Sequence, residues 1–206
     1  RYFRRRSATN GTSTRTRRSR TPSELTQPAA LLDADQAEAE TEDDTDDDTP
    51  LTARPKRFYL ALDDEIVRAP SIGPRTAAKF IAVGATLVRD LLTADPDELA
   101  AALQTRYITA QRIAAWQAQA RLVCTIPWLR GTHAQMLVGA GFDTLDKVQK
   151  ADREKLCAAV HQFAGTRDGQ SVLRSGPPPE AARIVRWAEF AQLAERDRAG
   201  PHVYRH

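Results

Sequence analysis

The eleven residues Ala69-Pro-Ser-Ile-Gly-Pro-Arg-Thr-Ala-Ala-Lys79 are the stretch whose residue types and spacing could do chemistry. Gly73 offers a turn freedom from Cβ hindrance. Pro74 suits the first position of a helix, and such a helix opens with amide N–H groups that have no partner inside it. With the positive end of the helix dipole, those amides can hold one anion, such as a backbone phosphate. Arg75 and Lys79 fall one helical turn apart and could flank it. We therefore expect Ile72, Gly73, Pro74, Arg75, Thr76 and Lys79 to contact the nucleic acid backbone, DNA before RNA. Contacts of this kind read no bases and weaken with salt.

The string belongs to an internal repeat. Shifting the chain by 57 places Pro70 on Pro127, Gly84 on Gly141 and Ala94-Asp95 on Ala151-Asp152. The register then changes to 71, where Arg112-Ile113 falls on Arg183-Ile184 and Trp116 on Trp187. The difference is an insertion around residues 165–176, which reads as a polar, Gly-rich loop. The second copy carries Ile126-Pro-Trp-Leu-Arg-Gly-Thr-His-Ala134 at the turn. Arg130 replaces Gly73, Gly131 replaces Pro74, and Trp128 stands where Ser71 does. A tight phosphate grip is not expected there, although Arg130, Gly131 and His133 are kept as candidate contacts. Trp116 and Trp187 are expected in the core, each against the turn helix of its own unit.

These residues need helices to position them, and helices are what the pattern from Pro55 onward gives. Ala and Leu recur at spacings of three and four, and no stretch alternates over a strand's length. Asp95 with Pro96 and Glu98 reads as a helix start, as does Thr109 ahead of 110–124. Gly84 and Gly141 read as helix stops. Pro177, Pro178 and Pro179 precede a last helix over about 179–198. The expected fold is all-α: two tandem helix-hairpin-helix-like units packed as one compact domain over 58–198. Unit one spans about 60–124 and unit two about 125–198, with a tail at 199–206. A disordered arm at 1–20 and a disordered acidic linker at 21–57 are expected to precede them.

A hydrophobic residue, Gly, then Pro or Gly, then a basic residue opening a small helix is the helix-hairpin-helix pattern. With an Arg-Ile-x-x-Trp helix following each unit, the tandem arrangement over about residues 60–195 resembles the bacterial family known only as domain of unknown function 4332. The resemblance implies a fold related to the helix-hairpin-helix domains of DNA repair proteins and of the RNA polymerase alpha subunit. It implies nucleic-acid contact and brings no established activity.

Charge is segregated. Residues 1–20 hold eight arginines and no acid, and residues 21–53 hold eleven acids and no Lys or Arg. Residues 54–206 keep 22 basic and 16 acidic residues, a net of +6 that the whole-chain value of +3 conceals. Neither leading segment can bury enough apolar surface to offset its chain entropy. The basic arm could touch nucleic acid or anionic lipid, and Arg4–Arg6 could flank a membrane helix lost upstream. Because Arg1 stands in place of Met, we expect the natural N-terminus to lie further upstream. No run approaches the roughly 18 apolar residues of a membrane span. Cys124 and Cys157 are too few for a disulfide framework, which fits a reducing, cytoplasmic setting. His133, His161, His202 and His206 lack metal-ligand spacing, and no phosphate loop or nucleophile elbow occurs. Asp63-Asp64-Glu65 reads as a helix-start cluster, as do Asp143, Asp146 and Asp152. No catalytic residue, metal, cofactor or small-molecule substrate is therefore expected. The other reading the sequence allows is an interaction module that docks an unidentified protein partner.

Overall fold

The computed structural model describes residues 55–174 and 176–198. The arm at 1–20, the linker as far as residue 54 and the tail at 199–206 lie outside them. Among the described residues nine α-helices follow a 3-10 turn at Ile66–Arg68. They are α1 (Pro74–Ala82), α2 (Val88–Thr93), α3 (Pro96–Leu103), α4 (Ala110–Thr125), α5 (Gly131–Gly139), α6 (Leu145–Gln149), α7 (Arg153–Ala164), α8 (Arg167–Leu173) and α9 (Ala181–Arg198). The all-α expectation holds, and the one β-type pairing described is a single bridge between Glu65 and Leu87.

Helices begin where a side chain can accept amide protons that the helix leaves unpaired. Asp95 accepts from Asp97 at 2.9 Å and Glu98 at 3.0 Å and opens α3, with Pro96 at its first position. Thr109, Thr144 and Asp152 open α4, α6 and α7 in the same way. Leu87 has no acceptor to offer ahead of α2. The carboxylate of Asp90 reaches back instead to the amides of Leu87 and Thr86, both at 2.8 Å. Those two backbone bonds, Leu87 first, hold Asp90 below the usual carboxylate range.

The repeat in sequence is also a repeat in structure. Helices α1, α2 and α3 recur 57 residues later as α5, α6 and α7, and α4 recurs 71 residues later as α9. The last helix of each unit sets its tryptophan against the unit's own turn helix. Trp116 of α4 meets Phe80 of α1 edge-on, with ring centroids 5.9 Å apart. Trp187 of α9, 2% exposed, stacks on His133 of α5 at 4.7 Å. Both tryptophans are core residues, as expected.

The insertion at 165–176 is not the loop its composition suggested, because it contains α8. Thr166 caps that helix through the amide of Gly169 at 3.1 Å. Gly169 is buried against the backbone of Phe163 and Ala164, where a Cβ would not fit. Val172 and Leu173 pack on the main core. Glycine here permits close packing, a use that composition does not distinguish from flexibility.

Gly84 and Gly141 sit just past the ends of α1 and α5 with φ of +90° and +94°, the left-handed region that a side chain disfavours by about 1–2 kcal/mol. Gly84→Ala and Gly141→Ala should each lower the unfolding free energy by about that amount in urea denaturation. Gly73→Ala should change it by less than about 0.5 kcal/mol, because φ at Gly73 is −79° and its Cβ would meet open space.

Candidate functional site

The turn before α1 is built differently from the sequence expectation. Gly73 is in extended backbone, φ −79° and ψ 171°, a conformation any residue adopts. The left-handed residue is Ser71, at φ 65°. The second turn repeats this, with Trp128 at φ 58° and Arg130 at φ −84°, ψ 164°. Arg130 in place of Gly73 therefore alters no backbone, and the second turn is not degenerate in shape. What differs is how each left-handed residue is held. Ser71 Oγ donates to Oε1 of buried Gln119 at 2.8 Å. Trp128 packs on Phe190, ring centroids 5.3 Å apart. Gln119 and Phe190 are themselves related by the 71-residue shift. One latch is polar and the other aromatic.

The expected contact residues divide sharply. Ile72 is wholly buried, its amide bonded to the Ala69 carbonyl at 3.1 Å, so its side chain belongs to the core and not to a contact surface. The amide of Thr76 is used within the helix, donating to the Gly73 carbonyl at 2.9 Å. Pro74 and Arg75 are exposed at the start of α1. Lys79 lies in the last turn of that helix. Its ammonium sits 4.4 Å from the Tyr107 ring centroid and is hydrogen-bonded to the phenol. Arg75 and Lys79 thus lie one turn apart along α1, the second with its ammonium held by Tyr107.

At the second turn, the Arg130 amide donates to Nδ1 of His133 at 3.3 Å. Stacking on Trp187 holds that half-buried imidazole against the core. The Arg130 guanidinium lies over Tyr59 at 5.4 Å, and Arg57 lies over the same ring at 4.8 Å. Arg57, the final residue of the expected linker, is tied to the fold: its carbonyl accepts the Trp128 amide at 2.8 Å. A Cβ placed on Gly131 would lie 3.5 Å from Cγ of Pro70, so the two turns lie side by side. Tyr59, Tyr107 and Arg57 were missed because they lie outside the repeat. Their signal was local, an aromatic residue beside cations in Lys56-Arg57-Phe58-Tyr59 and Arg106-Tyr107.

The carboxylates have structural work. Asp63 pairs with Arg89, and Asp64 accepts the Ala61 amide at 2.8 Å. Asp143 pairs with Lys147 at 2.7 Å. Among the described residues no group of three His, Cys, Asp or Glu could hold a metal ion, and no helix is long and apolar enough to cross a membrane.

With this architecture in view, the chain belongs to the family described as Domain of unknown function (DUF4332), whose profile matches residues 70–194. Comparison with curated proteins and with solved structures gives no match.

Ser71→Ala should cost about 1–3 kcal/mol in chemical denaturation, because it strips buried Gln119 of its partner. Burial, reinforced by nearby Asp64, pushes the Cys124 thiol up from 9.0 to about 11. A raised thiol favours the folded state while protonated, so this contribution is complete below pH 9 and is lost as pH rises through about 11. In a Cys157→Ser background, alkylation of Cys124 by iodoacetamide should stay slow at neutral pH and accelerate only toward that upper value.

Proposed function

We propose that this protein binds the nucleic-acid backbone without reading sequence, DNA in preference to RNA, and that it does so without catalysis. On this reading the fold is a pair of helix-hairpin-helix-like units, and the contact begins at the exposed start of α1. The observation that carries it is the closeness of Gly131 to Pro70, where a Cβ would come within 3.5 Å, which sets two turns of one backbone shape side by side. Each turn leads into a helix whose opening residues include an arginine, Arg75 in one and Arg130 in the other. Amide groups at a helix start and guanidinium groups suit phosphate oxygens. Lys79 contributes from one turn further along α1, where Tyr107 holds its ammonium. The net positive charge of residues 54–206 agrees with such a partner.

A second reading has its own observation. Ile81 and Val83, near the end of α1, are 52% and 38% exposed, which suits a protein partner met through apolar surface. That association would survive salt, whereas phosphate contact would not.

The test uses the full chain with the eight arginines of residues 1–20 replaced by glutamine, so that the helical region is read alone. Fluorescence anisotropy with a short random-sequence duplex should give an affinity that falls with salt, by about 0.9 log units per log unit for each phosphate contact. Arg75→Glu with Lys79→Glu should weaken binding by about tenfold or more and flatten that slope. Absence of binding at low salt defeats the proposal.

A further inference from the structure

Tyr59 carries a cation set that no part of the repeat explains. The guanidinium carbons of Arg57 and Arg130 lie 4.8 and 5.4 Å from the centroid of its ring. They come from distant parts of the chain, one from the segment entering the fold and one from the turn before α5. The Arg57 carbonyl also receives the Trp128 amide at 2.8 Å, which fixes the entering strand against that turn. Tyr59 is half-buried and packs against the core, so the ring is an anchored platform rather than a loose side chain. A ring face attracts each cation. The planar guanidinium fork matches phosphate oxygens in pairs.

We propose that Arg57 and Arg130, positioned by Tyr59, form a second phosphodiester site, distinct from the start of α1. This rests on the nucleic-acid reading above and sharpens it: the duplex backbone engages both turns, which lie side by side at Gly131 and Pro70. The arginines contact the phosphates. Tyr59 touches no ligand and acts as a positioning residue.

The experiment repeats the anisotropy titration with the same duplex and the same arm-neutralised full chain. Arg57→Gln with Arg130→Gln should weaken binding by about tenfold at low salt and reduce the salt slope by about two. Tyr59→Phe keeps the ring and should leave both quantities unchanged. Tyr59→Leu removes it and should reproduce part of the loss in slope while circular dichroism still reports a folded chain. If Tyr59→Leu unfolds the protein, the arginine pair and Tyr59→Phe still decide the matter. An unchanged slope in the double arginine variant, with the parent chain binding normally, overturns the second site and leaves the first standing. A parent chain that does not bind the duplex overturns both.

Discussion

The architecture depends on one backbone constraint, a non-glycine residue held in the left-handed conformation immediately after a proline in each turn. Ser71 and Trp128 both occupy this region, which costs an L-residue on the order of 1–2 kcal/mol. The cost is tolerable only because a long helix packs over each turn and grips the residue. Gln119 in α4 and Phe190 in α9 provide those grips. The turn sets the direction in which α1 or α5 departs, and the same long helix then sets Trp116 or Trp187 against that departing helix. Turn, short helix and long helix therefore stand or fall together.

Most of the secondary structure was legible because it rests on local chemistry. Asp95, Thr109 and Asp152 are capping residues by type, and each accepts the amides expected of it. The repeat was legible because most buried positions at a fixed offset keep their size and polarity. The α8 helix was not legible, since Gly169 looks the same to a sequence reading whether it bends a loop or admits a neighbouring backbone. Nor was the origin of the turn: a glycine in a turn invites the inference of unusual φ, yet Ser71 bears it, two residues earlier.

The two turns proposed as the site were legible as turns, but their side-chain surroundings were not. The start of α1 and the equivalent turn at Arg130 could be found from the string and its repeat. Ile72 was assigned to the contact surface because the pattern contains it, but its side chain is core. Lys79 was grouped with Arg75 by helical spacing, which cannot foresee that Tyr107, 28 residues away, captures the ammonium. Tyr59 and Arg57 escaped notice because only the tertiary fold brings Arg130 to them.

The two latches also bear on how a duplicated chain sorts its own halves. Helices α4 and α9 share an Arg-Ile-x-x-Trp stretch and could each be imagined over either turn. Exchanging them would set Gln119 against the Trp128 indole and Phe190 against the Ser71 hydroxyl. Buried Gln119 would then lose the hydroxyl that donates to it. The polar pair and the aromatic pair thus act as mismatched keys, which disfavour the crossed arrangement during folding and the exchange of helices between neighbouring copies of the chain.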